Sequence, residues 1–340
     1  MRVEPPEQQN FEEQLSELVE GVLSGSRLHV AKAITLIESG ERLGDLLLSK
    51  LRGRVRGIPV IGFAGPPGAG KSTLIASLVN VLKGREKPVA VLAVDPSSPI
   101  SGGAVLGDRV RLVGKVDQSG IYFRSLASRG ASGAIARNLR AMCRVLDAAG
   151  FEAVMVETVG AGQSDVEIMG VADIVVVVVP PDYGDSIQAV KAGLLEIGDL
   201  YVVSKSDLPN ARLMASVLES LLSGRNRRVK VLTVSAATGE NVSALVDLIW
   251  AELDAMRSSG ELEARRLRIY EWEMREVMME RVRRLMESAL TEDGHLDEAR
   301  RALASGADPR ELGARLAEEV LKSALRRLEL RGKKNQSSPT

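Results

Sequence analysis

The chain has 340 residues, 45% of them apolar, and its 45 basic and 45 acidic side chains cancel to a formal charge of zero. That length buries one large core with smaller attachments, and the balanced charge excludes a dominant electrostatic pull toward nucleic acid or an anionic membrane. A single cysteine, Cys143, excludes an internal disulfide, and with only His29 and His295 beside it a soft-metal site is close to excluded.

The first segment, MRVEPPEQQNFEEQL, is acidic and polar, unlike a secretory leader. Residues 10–55 have helical periodicity: Phe11, Leu15, Leu18, Val19 and Val22, then Ala33, Ile34, Leu36 and Ile37, punctuated by glycines at 21, 25, 40 and 44. An N-terminal helical extension over 1–56 follows. From there to residue 258 short apolar strands alternate with amphipathic helices: PVIGFAG (59–65), KPVAVLAVD (87–95), FEAVMVET (151–158), DIVVVVVP (173–180), LYVVSKSD (200–207) and VKVLTVSA (229–236). That alternation predicts an α/β domain with a mainly parallel central sheet. Right-handed crossovers then put every strand's C-terminal end on one edge, where ligands bind. The longest apolar run, DIVVVVVPP at 173–181, is too short to span a bilayer and suits a strand covered on both faces. A soluble cytoplasmic protein with reduced thiols is expected.

Beyond residue 258 the strand pattern stops. Residues 261–290 predict one long helix with Leu267, Tyr270, Met274, Met278, Val282 and Leu285 along one side, and Val277, Met279 and Met286 widen that stripe. A stripe of that width fits either packing on the central domain or a dimer seam. A second helix is expected near 309–330, within a C-terminal helical region over 259–332, followed by a disordered tail at 333–340.

GPPGAGKST (65–73) fits G-x-x-x-x-G-K-[ST] in full between a strand and a helix, the signature of a P-loop NTPase. Gly65, Gly68 and Gly70 allow backbone N–H groups to turn inward around phosphates, and the helix N-terminus adds its positive end. The run Gly65, Pro67, Gly68, Ala69, Gly70, Lys71, Ser72 and Thr73 is therefore assigned to the phosphates. Lys71 is to reach the β- and γ-phosphates and the Ser72 hydroxyl a magnesium ion.

SKSD (204–207) ends the fifth of these strands, where guanine-specific proteins carry Asn-Lys-x-Asp. An aspartate there accepts two hydrogen bonds from guanine N1–H and its 2-amino group, a donor pair that adenine lacks. Lys205 and Asp207 fit; Ser204 is shorter than the usual amide. The competing reading is a polar strand exit with Asp207 capping the next helix. Ser235 and Ala236 of VSA (234–236) are assigned to the base edge.

A strand-end aspartate usually serves the metal, but FEAVMVETVGAGQSD (151–165) presents Glu157 instead. If strands 59–65 and 87–95 are neighbours, Asp95 stands beside the phosphate loop, and Asp108 of GDR (107–109) is a second carboxylate. A hard cation that keeps several waters suits such oxygen donors, so Ser72, Asp95, Asp108 and Glu157 form the candidate metal set. Glu157 then stands behind the metal ligands or holds the attacking water. Gly160 is to offer its N–H to the γ-phosphate, and Gln163 has the wrong offset for a water-orienting glutamine. Lys191 is a candidate for transition-state charge, against the plainer reading of a solvated helix lysine. Lys71, Asp108, Glu157 and Lys191 make up the candidate catalytic groups.

GPPGAGKST, AVDPSSPISGGAVLGDR, SRG (128–130), VETVGAGQSD and the K-x-D of SKSD, in this order, resemble one family. It is the G-protein chaperones of the B12-dependent methylmalonyl-CoA mutase, also known as LAO/AO (arginine/ornithine) transport ATPases. The resemblance runs over most of residues 10–330. It implies a homodimeric GTPase using GTP/GDP and Mg2+, with an α/β G domain, helical extensions and a C-terminal dimer contact. It further implies binding to the mutase and gating of adenosylcobalamin loading and protection, with slow, partner-stimulated hydrolysis. Onto this chain it carries phosphate contacts at Gly68 through Thr73, metal-linked carboxylates at Asp95 and Asp108, the hydrolysis-linked acid at Glu157, base recognition at Lys205 and Asp207, and a third switch loop at 181–191. Ser204 in place of asparagine, RSLASRG without a proline, and a glycine-poor PDYGDS depart from the pattern. Two other classes remain open: a kinase linked to amino-acid transport, and a nickel-type metallochaperone, which the shortage of Cys and His disfavours.

Overall fold

The valine-rich runs are strands in the computed structural model, which describes residues 6–96, 121–128, 134–158, 167–181, 193–224, 229–292 and 294–336. Among these residues β1 (Val60–Ala64), β2 (Val89–Pro96), β3 (Tyr122–Ser128), β4 (Ala153–Glu157), β5 (Ile174–Val179), β6 (Leu200–Ser204) and β7 (Lys230–Val234) form one sheet in the order β3-β2-β4-β1-β5-β6-β7. Every pairing is parallel. β1, β4, β5 and β6 are buried along their whole length, which is why they read as continuous apolar runs.

Two features differ from the sequence expectation. β3 was not foreseen; it is an edge strand, and its run YFRSLAS is interrupted by Arg124 and Ser125, so no unbroken apolar pattern marks it. More consequentially, strands 59–65 and 87–95 are not neighbours. β4 lies between them, with Glu157 level with Phe63 on one side and with Ala93 on the other. A crossover can skip a lateral position, and nothing local to a strand encodes that choice. Asp95 thus lies near the end of β2, two positions from the phosphate loop's own strand, while Glu157 ends the adjacent one.

Alternation along the strands supplies both faces of the core. Ile61, Phe63, Ile174, Val176 and Val178 pack with Leu74 and Leu78 of α4 (Lys71–Gly84) and with Leu245 and Ile249 of α7 (Val242–Ser258). On the other face α5 (Ala134–Ala148) touches β4, and α1 (Pro6–Leu23), α2 (Arg27–Ser39) and α3 (Arg42–Lys50) pack on α5. Their buried residues, Leu15, Leu18, Val22, Ala33, Ile34, Leu36 and Ile37, lie on the predicted faces. α6 (Ala211–Leu222) lies against β6 and β7.

The long helix α8 (Glu261–Glu292) begins against the sheet edge opposite the strand C-termini. Arg265 donates to both Asp199 carboxylate oxygens at 2.6 Å. Arg266 grips Asp173 with bonds of 2.9 and 2.7 Å. The same carboxylates accept the N–H groups of Val60 and Val175, so each aspartate joins a strand start to the helix. Burial pulls the Arg266 guanidinium down, but the hydrogen bonds and charge of Asp173 outweigh it and the net displacement is upward.

The chain divides into two compact units, Met1–Glu271 and Trp272–Thr340. The first therefore includes the opening turns of α8. In the second, Leu285, Met286 and Leu290 pack around Ala289 and Val320, joining α8 to α10 (Pro309–Gln336). α9 (His295–Ala304) is an additional helix, and α10 continues to Gln336, into the segment expected to be disordered. Leu267, Tyr270, Met274, Val277, Met278 and Met279 of α8 remain 47–61% exposed. Among the described residues no helix is long and apolar enough to cross a membrane.

Candidate functional site

Gly65 leaves β1 at φ 142°, and a Cβ there would meet the Val178 carbonyl at 2.1 Å, so only glycine lets the loop pass so close to β5. Gly68 and Gly70 take φ 76° and 88°, left-handed conformations that turn the loop into the N-terminus of α4. Lys71, the first helical residue, is 6% exposed. Its Nζ donates to the carbonyls of Gly65 and Pro66 at 2.6 and 3.1 Å. The loop thus holds its own cation at its centre, with the helix end behind it, as a polyphosphate site requires.

Ser72 Oγ donates to Glu157 Oε1 at 2.6 Å, across the gap between α4 and the end of β4. Glu157 is only 8% exposed, and the next residue, Thr158, is tied back to the Phe63 carbonyl by its N–H and its hydroxyl, both at 3.2 Å. The described residues contain no group of three or more His, Cys, Asp or Glu able to hold a metal. A cation at Ser72 and Glu157 would thus rely on one hydroxyl, single carboxylates, phosphate oxygens and water, a donor set that fits Mg2+.

The base end of the site is built from β6 and β7. Ser204 Oγ, buried, donates to the Ala69 carbonyl of the phosphate loop at 2.6 Å. Lys205 then takes φ 54°, turning the chain off the strand. Asp207 follows; its Oδ1 accepts the Ser235 hydroxyl at 2.5 Å, and Ser235 Oγ accepts the Thr238 N–H at 3.2 Å. The carbonyl of Ala236 lies 3.4 Å from Ser77 Oγ of α4, which brings the β7 exit over the same helix as the phosphate loop.

Gly65 through Thr73, Glu157, Ser204, Lys205, Asp207, Ser235 and Ala236 therefore share one edge of the sheet. The backbone of Asp95 reaches that edge two residues beyond the level of Glu157, paired with Ala127. Asp108, Gly160, Gln163 and Lys191 lie outside the described residues, as does the side chain of Asp95. Sequence reasoning missed the Ser204–Ala69 link, for which no spacing rule exists, and the Arg265–Asp199 and Arg266–Asp173 pairs. Those pairs left a faint trace, an Arg-Arg dipeptide and an aspartate just before each of two strands.

A parallel sheet with a glycine-framed lysine loop after β1 and an Asp–Ser pair beyond β6 and β7 defines a P-loop nucleotide hydrolase. The family model described as methylmalonyl Co-A mutase-associated GTPase MeaB matches residues 30–291, and the chain belongs to that GTPase family. A Pyrococcus horikoshii protein named as a GTPase is 36% identical, covering 82% of this chain and 90% of the relative. The Mus musculus mitochondrial homolog of methylmalonic aciduria type A is 35% identical over 73% of this chain and 65% of its own length. A crystal structure described as an LAO/AO transport system kinase superposes with a TM-score of 0.67 at 28% identity, covering 91% of this chain and 98% of that one. The chain is accordingly a GTP-hydrolysing enzyme that binds guanine nucleotides.

Proposed function

We propose that this GTPase is a chaperone for a B12-dependent acyl-CoA mutase, methylmalonyl-CoA mutase or a close relative, and gates the loading and protection of adenosylcobalamin. The family description supports the client. The observation that carries the switch is the Ser72–Glu157 hydrogen bond at the mouth of the phosphate loop, which ties a nucleotide-facing hydroxyl to the end of β4. The chain leaves β4 there toward Gly160, so a change at the γ-phosphate is felt where residues 157–165 begin.

The roles follow from that geometry. Gly68 through Thr73 wrap the phosphates, and Lys71 exchanges its loop carbonyls for phosphate oxygens. Ser72 would hold a Mg2+ ion, which would supply charge neutralisation at the phosphates, with Asp95 and Asp108 as its proposed carboxylate donors and Glu157 beside Ser72. Glu157 orients Ser72 and, through it or directly, the attacking water. Asp207, steadied by Ser235, accepts the guanine N1–H and 2-amino protons, and Lys205 and Ala236 flank the base. Gly160 meets the γ-phosphate, and Lys191 brings charge from the loop after β5. With no glutamine or arginine of assigned catalytic role in this set, intrinsic turnover is slow and the mutase accelerates it. The exposed face of α8 forms a homodimer in the cytoplasm.

Hydrolysis measured with and without the client mutase tests this reading: slow basal release of phosphate that the mutase stimulates is expected, and fast partner-independent turnover overturns it. The kinase reading that the transport-system description of one structural relative favours makes a separate demand. Labelled γ-phosphate would then appear on an amino acid or a binding protein instead of in water.

A further inference from the structure

Ser204 occupies the position from which an asparagine ordinarily helps to read guanine, yet its only proton is already in use. The hydroxyl is buried, 5% exposed, and donates to the Ala69 carbonyl at 2.6 Å, with the Val179 carbonyl a distant second at 3.4 Å. A hydroxyl carries one donor, whereas a carboxamide carries two and an acceptor besides. An asparagine could bond the loop and still face a base; a serine bonded to Ala69 has no donor left for one. Ala69 is itself fully buried in the middle of GPPGAGKST, between the two left-handed glycines Gly68 and Gly70. Its carbonyl is the point at which β6 takes hold of that loop.

We propose that Ser204 is a positioning residue that straps the phosphate loop to β6, and that base selection is left to Asp207 with Ser235. The left-handed turn at Lys205 separates the two tasks. Ser204 stays in the sheet beneath Ala69, while Asp207 leaves it and meets Ser235 at the end of β7. The strap sets the distance between the phosphate cradle and the base pocket, so its loss weakens every nucleotide that spans both, whatever the base offers at N7 or O6. This inference rests on the guanine-nucleotide reading of the site.

Calorimetric titration of the full chain with GDP, 7-deaza-GDP and GMP tests it, comparing wild type with Ser204→Ala and Ser204→Cys. Loss of one buried hydrogen bond should weaken GDP about ten-fold in Ser204→Ala. 7-deaza-GDP should weaken by the same factor, and GMP, with fewer loop contacts, by less. Ser204→Cys, near-isosteric with a weaker donor, should fall between and keeps the test alive where the alanine variant does not fold. A loss for GDP that is absent for 7-deaza-GDP would show that Ser204 reads N7 and would overturn the strap, as would wild-type affinity in both variants. Should the wild type bind ADP and not GDP, the guanine reading fails instead, and the same comparison with ADP and 7-deaza-ADP still decides the strap.

Discussion

Ser72 Oγ and Glu157 Oε1 lie 2.6 Å apart, joining the first turn of α4 to the end of the strand next to β1. That contact follows from the insertion of β4 between β1 and β2, which brings a glutamate rather than Asp95 alongside the phosphate loop. The extra methylene of glutamate lets its carboxylate reach the hydroxyl from a buried position. A glutamine there retains an oxygen that accepts from Ser72 but loses the charge. Glu157→Gln should therefore keep GDP affinity near wild type while single-turnover hydrolysis falls on the order of 10²-fold. Hydrolysis at the wild-type rate would remove Glu157 from the chemistry.

Asp207 accepts from Ser235 and has lone pairs to spare for a base. Replacing it by asparagine turns one acceptor into a donor, and xanthine offers a carbonyl where guanine has its amino group. Asp207→Asn should lose GDP affinity by on the order of 10²-fold or more and gain affinity for XDP. Titration with the two diphosphates reads this directly, and an unchanged GDP affinity would move the base site elsewhere.

Asp173 is fully buried and shared between Val60 N–H and Arg266. Arg266→Ala would strand that carboxylate beneath the sheet, at a cost of about 3–5 kcal/mol in chemical denaturation. Arg265→Ala acts likewise on Asp199, whose partner Val175 is the second residue of β5. A variant as stable as wild type would mean that water reaches the carboxylate freely.

Burial pushes the Cys143 thiol up from 9.0 to about 12. The folded state then keeps a proton that the unfolded chain releases, so the thiol's contribution to stability is intact below pH 9 and is lost as pH rises toward 12. Native protein at pH 8 should resist maleimide, and denatured protein should react at once. Rapid native labelling would show that α5 opens locally.

Met274 and Met278 are more than half exposed on α8. Introducing glutamate at both positions would charge the proposed dimer face without touching the nucleotide site. Light scattering should show wild type as a dimer and the double variant as a monomer, with GDP affinity retained. A monomeric wild type at micromolar concentration would end the dimer proposal.

Much of this protein is local and therefore visible in its residues. Continuous valine runs mark strands buried on both faces, and the glycine spacing of GPPGAGKST specifies a loop geometry that needs no distant partner. The stripe of α8 is equally a matter of helical period. β3 escaped because an edge strand needs no unbroken apolar run, and the bond from the Ser235 hydroxyl to Asp207 joins two strand exits that no local spacing relates.

Lateral strand order belongs to tertiary structure alone. Each strand's own pattern satisfies any central slot, and the choice depends on how crossovers pack once the whole sheet has formed. From that order come the partnership of Ser72 with Glu157, the hold of Ser204 on Ala69, and the two arginine–aspartate pairs under the sheet, which join residues 66 to 135 positions apart. The sequence determines the chemistry available at the edge; the packing of the sheet decides which of those groups meet.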